Sequence, residues 1–187
     1  QKDTSETLAG RVAFVFLDGF GLDEVAAEDT DRLWVRGGFP RSFLARDDAA
    51  SLRWRRDFVS TFVERDLPQL AMGVAGATMR RFWTMLAHNQ GALLNASALA
   101  ASLSINVRTL QRYLDLLVDL LLVRRLQPWT SNTQKRLVRS PKTYLRDSGL
   151  VHALLSVGSL DDLLGHPIVG ASWEGFVIEN LMSAAPE

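Results

Sequence analysis

The stretch from Asn95 to Trp129, "NASALAASLSINVRTLQRYLDLLVDLLLVRRLQPW", constrains the fold more than any other part of this sequence. Ser97 to Leu103 has the spacing of a short helix with Leu99 and Leu103 facing inward. Ser104, Ile105 and Asn106 then make a tight turn, and Asn106 is a good N-cap for the helix that follows, since its side-chain oxygen can accept an orphan N–H. On that second helix Leu110, Leu114, Leu117 and Leu121 recur at helical spacing and form one apolar stripe. "LLLVRRL" reads as a strand, "QPWTSNTQ" as a polar turn and "KRLVRSPKTYLR" as the returning strand. Two helices joined by a tight turn and followed by a hairpin are the pattern of a winged helix-turn-helix.

The flanking segments are mostly helical. "RLWVRGGFPRSFLA" gives short helical pieces. "DDAASLRWRRDFVSTFVERDLP" gives a long helix with its apolar face on Leu52, Phe58, Val59, Phe62 and Val63, and Pro68 is expected to end it. "GATMRRFWTMLAHNQG" gives another, with Met79, Phe82, Trp83 and Leu86 at i, i+3, i+4 and i+7. "RVAFVFLD", a continuous run of β-branched and aromatic residues, reads as a short buried strand near the N-terminus. Such a strand needs partners, expected from upstream or from another chain. The expected fold is mainly α: a helical lid plus a winged helix-turn-helix, with a short remnant β-strand at the N-terminus.

Composition narrows function by exclusion. The 187 residues contain no cysteine, which removes disulfides and thiolate metal sites and suits a cytoplasmic protein. His88, His152 and His166 lie far apart with no partner at ligand spacing, so no metal site is expected. No apolar run reaches the ~18 residues of a membrane span, and no membrane partner is expected. Net charge is zero, yet its distribution is uneven. From Ser97 to Arg146 there are nine basic and two acidic residues, whereas residues 1–66 hold ten basic and thirteen acidic ones. Either the central segment faces something anionic, or its charges pair with acidic groups of the same molecule.

"GHPIVGAS", Gly165 to Ser172, has two glycines and a serine at the spacing of a phosphate-binding loop. Ala171 stands where the lysine that neutralises the β- and γ-phosphates belongs, and "SLDDLLGH" upstream reads as a helix ending at Gly165 rather than as a strand. A helix cap followed by a loop explains the match.

"LWVRGGFPRSFLA", "FVSTFVERDLP", "FWTMLAHNQGALLNASALAASL", "KRLVRSPKTYLRDSGLVHALL" and "LLGHPIVGASWEGFVIENL" follow one another as they do in a large group of prokaryotic AAA-like P-loop ATPases. Those proteins resemble archaeal ATPases and carry a C-terminal domain of unknown function. The chain resembles that group over nearly its whole length. The resemblance implies that residues 1–27 are the tail of the P-loop ATPase core, with Walker A and B upstream. Residues 28–68 are then a helical lid, 69–147 the winged helix-turn-helix domain, and 148–187 the start of a C-terminal domain resembling a nuclease fold, often degenerate. A start without Met and a closing amphipathic helix with nothing after it agree with a piece of a longer protein. ATP and Mg are expected for the parent protein, with no cofactor in this fragment. Gly38 and Pro40, with Gly37 beside them, match a lid signature that contacts nucleotide, and Arg65 is the candidate for an arginine finger acting on a neighbouring subunit. The alternatives are a helix-end glycine pair before a proline at the first position of the next helix, and a solvated arginine beside Glu64 and Asp66. Glu174 or Glu179 would sit on the first helix of the nuclease-like region, or simply on a solvated face.

Two functional readings follow. In the first, the chain is the C-terminal region of an ATP-binding AAA-like ATPase, acting as a lid and interaction module without catalysis of its own. DNA is its candidate partner, alongside the upstream ATPase core, another protein chain and a second copy. Asn106, Arg108, Thr109, Gln111 and Arg112 would then reach base edges, while Arg124, Arg125, Lys135, Arg136 and Lys142 would touch phosphates. In the second, the chain is a winged-helix transcriptional regulator whose helical half binds an effector, near Trp34, Trp54 or Trp83, or dimerises.

Overall fold

The computed structural model describes residues 17–70, 75–128 and 140–185. Ten helices and one small sheet are found among them. A 3₁₀ turn over Ala27–Asp29 leads into α1 (Thr30–Arg36) and α2 (Pro40–Phe43), followed by α3 (Asp48–Thr61), α4 (Leu67–Leu70) and α5 (Gly76–His88). Next come α6 (Ala96–Ser102), α7 (Val107–Asp119), β1 (Val123–Leu126), β2 (Lys142–Leu145), α8 (Ser148–Leu154), α9 (Leu160–Leu164) and α10 (Val169–Ala184). The protein is thus mainly helical with a two-stranded antiparallel sheet, in which Val123 pairs with Leu145 and Leu126 with Lys142. On the opposite edge of β2, residues 91–94 run alongside it: Gly91 donates to the Thr143 carbonyl at 2.9 Å and Leu94 to that of Pro141 at 2.9 Å.

Short polar side chains start five of these helices by taking up orphan N–H groups. Asp47 accepts from Ala50, Asn95 from Ala98, Asn106 from Thr109 and Asp147 from Leu150, and Ser159 forms a reciprocal capping box with Asp162. Three helices end alike. Ser104, Leu121 and Ser156 have φ of 55°, 57° and 62°, and in each case the next N–H bonds back to the carbonyl five residues earlier: Ile105 to Ala100, Leu122 to Leu117, Val157 to His152. This is the Schellman ending, built here without glycine at its left-handed position.

Several sequence expectations shift. Leu121 does not extend the α7 stripe: the helix stops at Asp119, Leu121 turns left-handed and is 44% exposed, and Leu122 is buried in its place. The strand expected from residue 120 therefore begins at Val123. Pro68 does not end the α3 helix. The backbone widens into a π turn over Phe62–Asp66, with the Leu67 N–H reaching Phe62, and continues as α4. Proline lacks the N–H and crowds the carbonyl four residues back, and a wider turn shifts that register. The N-terminal strand expectation falls on residues 11–18, of which 11–16 lie outside the described residues, and Leu17 and Asp18 are not in a strand. The hairpin tip, including Lys135 and Arg136, also lies outside them.

Met79, Phe82, Trp83 and Leu86 are buried as their spacing predicts, as are Leu110, Leu114 and Leu117. They belong to one continuous cluster that reaches Leu33–Val35 on α1, Val59 on α3, Leu150 and Val151 on α8 and Phe176 on α10. A charged residue lies within this apolar assembly. Arg55 on α3 has no exposed surface. It donates to the carbonyls of Val35 at 3.1 Å and Gly149 at 2.8 Å, and so ties the end of α1 to the start of α8. Asp147 completes the joint, accepting from Gly38 N–H at 2.8 Å and Leu150 N–H at 2.8 Å. Gly37 and Gly149 make this approach feasible. Gly37 is left-handed at φ 76° and a side chain there would strike Asp147, while one at Gly149 would strike the Arg36 carbonyl. Burial pushes Asp147 up, against the donors that pull it down, and lowers Arg55 to about 10.

Removing Arg55 deletes its bonds to the Val35 and Gly149 carbonyls, leaving His152 as the side-chain donor to Val35, and takes a compensating positive charge away from the buried Asp147. Arg55→Met is expected to destabilise the fold by about 3–5 kcal/mol, read by urea unfolding. Arg55→Lys, which keeps the charge, is expected to lose less. Equal stability of R55M and the parent chain would contradict this role.

Candidate functional site

The first candidate surface is the start of α7. Asn106 caps the helix, its Oδ1 accepting the Thr109 N–H at 2.7 Å, so this oxygen is committed to the fold. Arg108 and Arg112 stand one turn apart on the same helical face, and both are exposed. Neither forms an ion pair among the described residues. Thr109 and Gln111 are half-buried between them and the core.

The hairpin cations are placed differently. Arg124 grips Glu179 of α10 with Nε and Nη2, the latter at 2.9 Å, and Arg146 donates to the same carboxylate at 2.9 Å. Arg146 also reaches Asp18 at 3.0 Å. Lys142 and the Tyr144 hydroxyl both donate to Glu174, at 2.8 and 2.6 Å, and Arg125 pairs with Asp115 at 2.8 Å. These bonds raise the Arg124 and Lys142 pKa values, and Lys142 and Tyr144 hold the Glu174 carboxyl below its usual range. Glu179 has 12% of its side chain exposed and anchors α10 on the hairpin, whereas Glu174, with 45% of its side chain exposed, lies on a solvated face while accepting from Lys142 and Tyr144. Lys142, Tyr144 and Arg146 alternate along the chain, a period-2 pattern that puts them on one face. That signal was present in the sequence, but their acidic partners lie about thirty residues later.

At the Gly37–Pro40 junction the α1 helix ends and the α2 helix starts. The Gly37 N–H bonds to Leu33, Gly38 donates to Asp147 and accepts from Phe20 at 2.8 Å, and Pro40 occupies the first turn of α2. Arg65 is exposed in the π turn, with no ion pair among the described residues. In "GHPIVGAS", Gly165 caps α9 and α10 opens at Val169, with no strand before it.

A cavity of about 420 Å³ lies beside this junction. Phe20, Phe39, Phe58, Phe62 and Phe176 form much of its apolar wall, and Asp18, Arg146, Glu179 and Asn180 line its polar end. Trp34, Trp54 and Trp83 do not line it. No group of three His, Asp or Glu residues suited to a metal occurs among the described residues. No helix among them is long and apolar enough to cross a membrane.

One buried arrangement resembles a nucleophile and its base. His152 Nδ1 donates to the Val35 carbonyl at 2.9 Å, so its Nε2 accepts from the Ser172 hydroxyl at 2.7 Å, and Ser172 in turn accepts from the Trp34 indole at 3.0 Å. Both His152 and Ser172 are fully buried, and the group that orients His152 is a carbonyl rather than a carboxylate. The trio pins α8 and α10 to α1. Burial lowers His152 to about 4, well below 6.5. Between those two values the unfolded chain takes up a proton that the native state refuses. Unfolding free energy is therefore expected to fall by about 3 kcal/mol as pH drops through this window. His152→Gln should lose that part of the slope in urea titrations across the window, and equal slopes in the two proteins would contradict the assignment.

Residues 27–161 match the family described as a domain of unknown function, DUF8612. The chain is 51% identical over 177 residues to the uncharacterized protein Rv2008c of Mycobacterium tuberculosis and, equally, to the uncharacterized protein Mb2031c of Mycobacterium bovis. The match covers 95% of this chain and 40% of each relative's length. No solved structure matches it significantly. With the family match spanning most of its length, the chain belongs to the DUF8612 family.

Proposed function

We propose that this chain is an interaction module of a longer protein, built as a winged helix, that offers the first turns of α7 to duplex DNA. The observation that carries the reading is the exposed pair Arg108 and Arg112, one turn apart on α7 and without ion pairs among the described residues. Guanidinium groups at the start of such a helix have the reach and the donor geometry for base edges and phosphates. The element order α5, residues 91–94, α6, α7, β1, β2, with β2 between the other two extended segments, also supports it.

The ion pairs narrow the contact surface. Arg124, Arg125 and Lys142 are neutralised by Glu179, Asp115 and Glu174, so α7 carries the attraction and the hairpin strands mainly support it. Lys135 and Arg136 remain candidates from the sequence alone. In the parent protein the ATP-binding core would precede this module, in the length of the relatives that the chain does not cover. The Gly37–Pro40 junction would then be a joint of the lid, and Arg65 the exposed arginine able to reach a neighbouring subunit.

Fluorescence anisotropy with a duplex of about 20 base pairs tests this reading. Binding is expected at low salt and should weaken steeply as salt rises, because phosphate contacts release counterions. R108E/R112E is expected to lose about tenfold or more, while Arg124→Gln changes affinity little. No binding at low salt, or binding unchanged in R108E/R112E, would overturn it. The full-length relative is expected to hydrolyse ATP and the 187-residue chain is not; turnover by the chain alone would contradict its role as a non-catalytic module.

A further inference from the structure

We infer that the cavity between the Gly19–Gly21 segment, α3 and α10 is a binding site for one uncharged aromatic small molecule, and that it excludes phosphorylated ligands. The inference does not rest on the DNA reading, which concerns a different surface.

Size and walls set the first half of the argument. A volume of about 420 Å³ lies within the range that holds small-molecule ligands. Phe39, Phe58 and Phe62 succeed one another with centroids 5.0 and 6.0 Å apart. Phe20 and Phe176 join them in the lining. Rings at such separations offer both faces and edges, which flat aromatic ligands match better than flexible chains do.

Charge sets the second half. The ionisable groups on the lining are Asp18, Asp147 and Glu179 against Arg146. Each already has partners. Arg146 bonds to Glu179 and Asp18, Glu179 also receives Arg124, and Asp147 receives the N–H groups of Leu150 and Gly38. Backbone donors are committed as well: Phe20 N–H bonds to Gly38, Gly21 N–H to Glu24 and Leu22 N–H to Asn180. A phosphate entering here would meet three carboxylates and one occupied arginine, with those N–H groups already used. An uncharged ring loses nothing by that arrangement. Its single hydroxyl or carbonyl can meet the polar end at Ser183 or Arg146, both on the lining.

A matched pair of probes separates the two halves. With the 187-residue chain, calorimetry should show saturable one-site binding of 2-naphthol, and affinity for 2-naphthyl phosphate should be weaker by about tenfold or more. Ser183, exposed on α10 and part of the lining, can carry a blocking side chain without disturbing the core. Ser183→Trp is expected to weaken 2-naphthol binding by about tenfold, with an unchanged circular dichroism spectrum and melting temperature. Absence of 2-naphthol binding would overturn the site. Binding untouched by S183W would place it elsewhere and overturn it too. Equal or tighter binding of the phosphate would overturn the exclusion.

Discussion

The architecture depends on one buried cation. Arg55 is the fully buried guanidinium among the described residues, and its two carbonyl bonds join α1 and α8 across the body of the protein. Burying a guanidinium costs several kcal/mol unless donors and charge are both satisfied. Here Nη1 bonds to the Val35 and Gly149 carbonyls and Nε to that of Ser51, while Nη2 has no partner among the described residues, so the nearby negative charge carries part of the compensation. Asp147 supplies the opposite charge, caps α8 and fastens the Gly37–Gly38 turn, and glycine is needed at 37 and 149 because side chains there would collide with this joint. The His152–Ser172–Trp34 trio lies on the same junction and extends it to α10.

Around that joint, charge is sorted by function. The hairpin and α10 share a ladder of ion pairs in which Glu174 and Glu179 satisfy Lys142, Arg124 and Arg146. Those cations hold the last helix in place, which leaves little of their charge for an external polyanion. Arg108 and Arg112 lie outside the ladder. Thus, among the described residues, the basic surplus between Ser97 and Arg146 divides into a structural share and an exposed share. The exposed share sits at one end of one helix, where a binding partner can approach it.

Much of the helical skeleton was legible in the sequence, because it rests on local rules. The apolar spacing of Met79–Leu86 and Leu110–Leu117, the Asn106 cap and the turn at Ser104 all reappear in the structure. What could not be read was non-local or atypical. Leu121 takes a left-handed conformation that sequence rules assign to glycine, so the stripe appeared one turn too long. Pro68 looked like a helix stop because a π turn leaves no simple compositional mark. Arg55 sits among charged neighbours, Arg53, Arg56 and Asp57, and only the return of α8 over ninety residues later buries it. Glu179 looked like part of a solvated face for the same reason. The cavity was equally hidden, since its walls come from six separated segments of chain, within residues 17–21, 33–39, 58–62, 120–122, 146–150 and 176–183.

Native-state hydrogen exchange tests the central claim most directly, because it reports the opening free energy of each helix. If the Arg55–Asp147 joint makes α1, α3, α5 and α8 one cooperative unit, their slowest amides, and the Gly38 N–H that Asp147 holds, should all exchange with the global unfolding free energy. In R55M those values should fall together. Protection that splits into two levels, with α1 and α3 opening well before α5 and α8, would contradict the account.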